Sequence, residues 1–166
     1  MSQTMQKMKL LFLCTGNSCR SQMAEAWTRH LKGDRIEAFS AGVDPKGIDP
    51  LTVKVMEEVG VAIGGQGSKH VDQVKHVAFD YVVTVCDNAS ENCPLFPGRT
   101  RVVHVGFDDP PKLAQGIQEV QERLLPYRRV RDEIKAFVET LPEGLAERSQ
   151  QTDGNVKNLD AEENPG

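Results

Sequence analysis

The sequence predicts an α/β fold with a doubly wound, four-stranded parallel sheet and helices on both faces. Short apolar runs alternate along the chain with stretches of helical periodicity, which is the pattern of strands joined by crossover helices. The first run shows no polar alternation, as expected for a strand that is buried on both faces. The 166 residues, of which 39% are hydrophobic, suffice for one domain with its own core.

The strands are predicted where apolar or β-branched residues cluster, over residues 9–13, 35–42, 81–85 and 100–107. The main helices are predicted where apolar residues recur at helical spacing, over residues 21–32, 51–59 and 115–141. The stretch KGD ends the first helix, Gly60 closes the second, and Pro126 is expected to interrupt the third. A glycine-rich loop over 62–69 and a polar loop after Val85 complete the order.

Three loops of this fold share one edge of the sheet, where ligands of doubly wound proteins bind. They follow the first strand from Cys14, the third strand from Cys86 and the fourth strand at the acidic sequence DDPP. We therefore expect the chemistry of the protein at this edge.

The charge and composition of the chain separate a body from a tail. The net charge of −4 arises entirely after Pro142, where six acids accompany two bases. The body is near neutral, so nucleic acid is not an expected partner. Because hardly any large apolar residue follows Leu141, we expect one domain over 1–142 and a disordered, acidic tail over 143–166.

The compartment follows from the amino-terminal segment and the cysteines. A lysine and a few apolar residues precede Cys14, as in a lipoprotein signal, but the apolar run is too short for one. With no transmembrane run either, we expect a cytoplasmic protein that does not bind membranes. Four cysteines in such a chain indicate catalysis or metal binding rather than a disulfide framework.

The loop after the first strand has the features of an oxyanion site. Cys14 and Arg20 flank a loop whose backbone N–H groups can point inward at the start of a helix. Gly16 permits a tight fold, Asn17 tolerates a left-handed conformation, and Arg20 offers donors to two oxygens. The same field is expected to lower the pKa of Cys14, and a hydrogen bond from Ser21 to lower it further.

The octet CTGNSCRS resembles the active-site loop of the low-molecular-weight protein tyrosine phosphatase superfamily, and closely that of its thioredoxin-coupled arsenate reductases. The resemblance continues through SQMAEAW, FSAG, VVTVC, CP, GFDDP and RRVRDEI, over about residues 8–140. Phosphatases of the superfamily carry larger apolar residues in place of Thr15 and Ser18, and a proline in place of Gln22. The resemblance implies a substrate loop made of Thr15, Gly16, Asn17, Ser18, Cys19 and Arg20.

The resemblance also implies a reaction, the reduction of arsenate to arsenite without an organic cofactor. Cys14 is then the nucleophile, Cys86 resolves the Cys14–arsenic adduct, and Cys93 captures Cys86 in a disulfide that thioredoxin reduces. Phosphate and sulfate are expected to compete with arsenate. The main alternative is a phosphatase that hydrolyses phosphate esters through a phosphocysteine, for which Cys86 and Cys93 are not needed.

Other interpretations of the cysteines remain open at this point. Cys86 and Cys93 can be plain thiols, and the four cysteines can form a zinc site, although their gaps exceed the usual ligand spacing. A thiol switch or an oxyanion sensor without turnover is a further class. Cys19 is best explained by packing within the loop. The four histidines show no ligand spacing and are expected at the surface or in turns.

A general acid is expected in the sequence GFDDPP. The family resemblance assigns this role to Asp109, which leaves Asp108 as a turn or capping residue. Phosphatases of the superfamily often follow this aspartate and its proline with an aromatic residue, whereas Pro111 and Lys112 follow here.

One departure from the family concerns a cation. Some members of this reductase family hold potassium beside the active-site loop, and Asn17, Glu25 and Ser40 match three of its ligands. The two remaining positions fall on Gly67 and Lys69, so an ammonium group replaces a ligand. We expect that Lys69 makes potassium dispensable; the alternative is a solvated surface lysine.

Overall fold

The computed structural model describes residues 6–96 and 98–148, and its central feature is the predicted parallel sheet. The strands lie in the order β2-β1-β3-β4 and every neighbouring pair is parallel. Their bounds are β1 (Met8–Cys14), β2 (Ile36–Gly42), β3 (Tyr81–Thr84) and β4 (Arg101–His104). The predicted fold class of a four-stranded parallel α/β sheet is therefore confirmed.

The helices follow the strands along the chain. They are α1 (Arg20–Lys32), α2 (Pro50–Glu57), α3 (Asp87–Glu91), α4 (Pro110–Leu113) and α5 (Val120–Glu139), with a 3-10 turn at Val71–Gln73. Both α1 and α2 pack against α5. The buried Arg131 of α5 joins them, because its carbonyl accepts from Trp27 Nε1 at 3.2 Å and its guanidinium donates to the Val55 carbonyl at 3.0 Å.

The core is centred on β1. Its four successive residues 10–13 have no solvent exposure, because β2 and β3 flank the strand and helices cover it. The predicted strand that is buried on both faces is thus confirmed. Within the described residues, we find no helix with the length and hydropathy that a membrane span requires.

Two element predictions are wrong. The polar segment after Val85 contains the helix α3, and the Cys86 sulfur caps it by accepting from the Ala89 N–H at 3.4 Å. Pro126 does not interrupt the last helix, since α5 runs through it with Leu124 and Tyr127 buried on either side. A proline removes only one backbone hydrogen bond, and the packed apolar face holds the helix together.

The packed body extends further than the predicted boundary at residue 142. Residues 143–148 are helical, Leu145 is fully buried, and Glu143 pairs with Arg35 at 2.7 Å. The expected disorder of the tail is therefore wrong for these six residues. Its remaining part, residues 149–166, lies outside the described residues.

The order of the strands determines that the site lies at the carboxyl ends of β1 and β3. The chain leaves β1 toward β2 on one side, and β3 pairs with β1 on the other, so the carboxyl ends of β1 and β3 flank the point where ligands bind in this class of sheet. Leu13 pairs with Thr84, and Val85 N donates to the Leu13 carbonyl at 2.9 Å. Cys14 and Cys86 follow directly, which brings the two ends together.

Candidate active site

The loop between β1 and α1 is held by Asn17, which is fully buried and adopts a left-handed conformation with φ 47°. The sequence prediction of this conformation is confirmed. Asn17 Oδ1 accepts from the Lys69 amide at 2.9 Å and its Nδ2 donates to Ser21 Oγ at 2.9 Å. Gln22 Nε2 donates to the Asn17 carbonyl at 3.0 Å. These contacts fix the loop from inside.

Gly42 allows the end of β2 to lie against this loop. A Cβ at this position would lie 2.5 Å from the Thr15 carbonyl oxygen and 2.9 Å from the Asn17 amide nitrogen. Any side chain would therefore displace the loop. From the sequence, Gly42 stands out only as part of FSAG, and its place at the end of a strand is the only signal of this role.

Cys14 and Cys86 form a coupled pair of buried thiols. The hydrogen bond with Cys86, together with burial, raises the pKa of Cys14, although Arg20 and the Thr15 amide oppose this effect. The partner thiol has its pKa lowered to about 5, first by the hydrogen bond with Cys14 and then, against burial, by Thr15 and Ala89. The expected lowering of the Cys14 pKa is wrong here, because a second thiol competes for the same negative charge.

The hydroxyl of Thr15 connects Cys86 to α3. Thr15 Oγ1 lies 3.1 Å from Cys86 Sγ and accepts a hydrogen bond from Asn88 Nδ2 at 3.0 Å. Since this bond uses an acceptor site of the hydroxyl, its own hydrogen is free to point at the sulfur. The arrangement therefore stabilises a thiolate at Cys86. The sequence contains no periodicity or spacing that would single out Asn88.

Cys93 lies beyond the opposite end of α3 and is half-buried, which raises its pKa. Its Sγ contacts the Pro94 carbonyl at 3.6 Å. All four cysteines of the chain are free thiols. Cys86 and Cys93 are thus separated by one short helix and not yet joined.

Arg20 and Asp109 meet at the mouth of the loop. Arg20 donates from NH1 to the Phe107 carbonyl at 2.9 Å, and its NH2 lies 3.6 Å from Asp109 Oδ1. Its Nε is buried and has no hydrogen-bond partner in the described part of the chain. Asp108 instead pairs with Arg129 at 3.0 Å, and it is Asp109 that occupies the cap position before α4. The expected capping role of Asp108 is therefore wrong.

The remaining predicted site residues divide into two groups. Thr15, Gly16, Ser18 and Cys19 do lie in the loop, and Cys19 is buried, which raises its pKa to about 12. Ser21 does not bond as expected, because in the described residues its hydrogen-bond partner is Asn17 rather than Cys14. Among residues 6–96 and 98–148, no three His, Cys, Asp or Glu side chains are grouped to hold a metal ion.

Comparisons with known proteins identify relatives of this chain. The family model described as low molecular weight phosphotyrosine protein phosphatase matches residues 9–151. An arsenate reductase of Halalkalibacterium halodurans is 46% identical over 139 residues, which cover 84% of this chain and 98% of that protein.

Solved structures give the same result. A structure described as an arsenate reductase in the phosphate binding state shares a TM-score of 0.64 at 29% identity and covers 81% of this chain and 95% of its own. A thioredoxin-dependent arsenate reductase of Corynebacterium glutamicum shares a TM-score of 0.53 at 27% identity, over 82% of this chain and 64% of that one.

The fold and the site define the class of protein. The sheet is parallel and carries a loop with a cysteine and an arginine at its switch point, and the family model matches most of the chain. The chain belongs to the low-molecular-weight phosphotyrosine protein phosphatase family. Within that family it belongs to the arsenate reductases, as the identity to the curated relative shows. The family predicted from the motif CTGNSCRS is thus confirmed.

Proposed function

We propose that this arsenate reductase works through a relay of three thiols, in which Cys14 attacks arsenate, Cys86 releases arsenite and Cys93 closes the final disulfide. The observation that carries the proposal is the position of Cys14 and Cys86, which directly follow the paired ends of β1 and β3 and influence each other's pKa. A phosphatase needs only one of these thiols, whereas reduction needs a second one within reach of the first.

The first step takes place in the loop. Cys86 accepts the proton of Cys14, and the Cys14 thiolate forms a bond to arsenic while a hydroxyl group of arsenate takes the proton of Asp109 and leaves as water. Support for an oxyanion comes from Arg20, whose buried Nε lacks a partner in the described residues and needs an acceptor. Phosphate and sulfate have the same tetrahedral oxygens and are therefore expected to compete.

The second step transfers two electrons to arsenic. Cys86 passes its proton to an oxygen on arsenic and attacks Cys14 Sγ as the thiolate. A disulfide forms, and the sulfur–arsenic bond breaks with its electron pair on arsenic, which leaves as arsenite. The hydrogen bonds from Thr15 and from the Ala89 amide support the Cys86 thiolate at this stage. Thr15 stands where the phosphatases carry a larger apolar residue, which could not donate such a bond.

The third step requires a change in α3. Cys86 caps the helix and Cys93 follows its last residue by two positions, so a rise of ~1.5 Å per residue separates their Cα atoms by roughly 10 Å. A disulfide needs Cα atoms within about 7 Å of each other. Cys93 therefore reaches Cys86 Sγ only if α3 unwinds, after which Cys14 leaves as the free thiol.

The oxidised pair must then be reduced by a dithiol protein. We infer thioredoxin, as the printed name of the Corynebacterium glutamicum neighbour states for that enzyme. Unwinding of α3 would expose the new disulfide to such a partner, and Leu95 beside Cys93 is almost fully exposed. A cycle that depends on a reduced dithiol fits the expected cytoplasmic location.

Three variants test the relay. Cys14→Ser should abolish arsenate reduction together with any hydrolysis of small phosphate esters, because both reactions need the nucleophile. Cys86→Ser should release no arsenite, because the thiol that attacks Cys14 Sγ is absent. Cys93→Ser should retain ester hydrolysis, since Cys93 takes no part in the first step, and should stop after one turnover with thioredoxin. Peptide mapping of the oxidised wild type should give a Cys86–Cys93 disulfide. A Cys93→Ser protein that cycles at the wild-type rate with thioredoxin would refute the proposed order.

A further inference from the structure

Lys69 lies between the oxyanion loop and β2. Its ammonium group donates to the Ser40 carbonyl at 2.9 Å and to the Gly67 carbonyl at 3.1 Å. Its backbone amide donates to Asn17 Oδ1, and its carbonyl accepts from Gly42 N at 2.8 Å. The backbone of Lys69 thus connects the two residues that shape the loop: Asn17, which is left-handed, and Gly42, which lies against the loop.

The oxygens around Lys69 do not fit a potassium ion. The family resemblance implies a potassium site formed by Asn17, Glu25 and Ser40 together with two positions that are Gly67 and Lys69 here. In this structure Asn17 Oδ1 is used by the Lys69 amide, while the Ser40 and Gly67 carbonyls are used by its ammonium group. A second cation at that point would meet the charge of the ammonium group at contact distance.

Glu25, the remaining candidate ligand, is also engaged. Its carboxylate is buried, accepts from Ser40 Oγ at 2.5 Å through Oε1 and pairs with Arg29 through Oε2. A buried carboxylate requires such partners, and two protein groups already supply them. The potassium ion that the family resemblance implies is therefore not needed to neutralise this carboxylate.

We propose that the ammonium group of Lys69 is a built-in cation that holds the oxyanion loop in its binding conformation without potassium. The inference rests on the proposed site for the oxyanion but not on the thiol relay. Lys69 touches neither a cysteine nor Arg20 in the described contacts, so it is a positioning residue. Its ammonium group ties residues 67–69 to β2 and thereby fixes the Lys69 amide and carbonyl, which bond to Asn17 and Gly42. A cavity of about 420 Å³ lined by Glu25, Arg29 and Lys69 would admit a solvent cation if the lysine were replaced.

The test measures sulfate binding by calorimetry and thermal unfolding in potassium and sodium salts at equal ionic strength. The wild type should have the same sulfate affinity and the same melting temperature in both salts. Lys69→Met should bind sulfate roughly tenfold more weakly, as expected for two lost charge-assisted hydrogen bonds, and Lys69→Arg should recover most of the loss. Lys69→Asp should gain a potassium-specific rise in melting temperature, because a bound ion stabilises the folded state. Lys54→Met, an exposed lysine on α2, is the matched control and should match wild type.

Two results would overturn the inference. One is tighter sulfate binding or a higher melting temperature of the wild type in potassium than in sodium. The other is a Lys69→Met protein that binds sulfate like Lys54→Met in both salts. If Lys69→Asp does not fold, the inference is still tested by the comparison of the two salts for the wild type and by the comparison of Lys69→Met with Lys54→Met. Sulfate is not reduced, so its binding does not depend on the thiol relay. A failure of the relay would therefore leave the sulfate measurements unchanged, whereas a failure of the Lys69 inference would change them.

Discussion

Individual side chains decide which thiol of the pair carries the charge, and Thr15 is the residue to change first. The hydrogen bond with Cys14 is the largest of the causes that together lower the pKa of Cys86 to about 5, and the hydrogen bond from the Thr15 hydroxyl, oriented by Asn88, is the next that lowers it. In Thr15→Val we expect this pKa to rise by roughly one unit, the scale of a lost hydrogen bond to a charged group. Thiolate absorbance against pH measures the shift.

The sign of the resulting pH dependence follows from the direction of the shift. A higher Cys86 pKa reduces the thiolate fraction at mildly acidic pH and leaves it unchanged above about pH 9. Arsenite release in a single turnover should therefore slow in Thr15→Val at acidic pH and recover at alkaline pH. Asn88→Ala should shift in the same direction, whereas Ser90→Ala, at an exposed position of the same helix, should not. Equal profiles for Thr15→Val and wild type would contradict this role.

The two aspartates of GFDDPP provide a second comparison at this scale. Asp109 faces Arg20 at the loop, whereas Asp108 points to Arg129 on α5. Asp109→Asn should slow formation of the arsenic adduct by roughly two to four orders of magnitude, the usual contribution of a positioned general acid. Asp108→Asn is the matched control and should change the rate little. A larger loss in the Asp108 variant would show that the acid is the other carboxylate.

Among the elements, α3 is the one that the proposed chemistry must break. Ser90 N donates to the Cys86 carbonyl at 3.1 Å and Asn92 N to the Asn88 carbonyl at 3.0 Å. Oxidation to the Cys86–Cys93 disulfide should remove both bonds, so these amides should exchange with solvent faster in the oxidised protein. Amide hydrogen exchange by NMR measures this. The amides of Leu113, the last residue of α4, and of Ala114, which follows it, serve as the control, because both donate to backbone carbonyls. Unchanged protection at Ser90 would refute the unwinding.

The elements also show what the sequence could predict and what it could not. Apolar runs predicted the strands because burial on both faces leaves no alternation, and CTGNSCRS predicted the loop because a strand and a helix flank it. The helix α3 was missed because its cap is a cysteine sulfur, which is not a usual helix-start signal. The contacts of Lys69, Asn88 and Gly42 join residues distant in the sequence, and local patterns carry no information about such pairs.

For the molecule as a whole, truncations after α5 show which residue ends the folded domain. Leu145 is fully buried and Arg35 holds Glu143, while residues 149–166 contain only two large apolar residues, Val156 and Leu159. A chain ending at Arg148 should therefore match the full chain in stability and arsenate turnover. A chain ending at Pro142 loses the Leu145 contact and should unfold more easily.

The expected size of that loss makes the comparison decisive. Removing a fully buried leucine side chain costs about 2–5 kcal/mol in the free energy of unfolding, a large part of the stability of a domain. Urea denaturation of both truncated chains and of Leu145→Ala measures it, and the point variant should reproduce most of the effect of ending at Pro142. Because the described hydrogen bonds and ion pairs of Arg20 and Cys86 involve no residue of 143–148, folded molecules of Leu145→Ala should keep the wild-type KM for arsenate. If the chain ending at Arg148 is also destabilised by this amount, residues 149–166 contribute to the packed body and the predicted acidic tail is not dispensable.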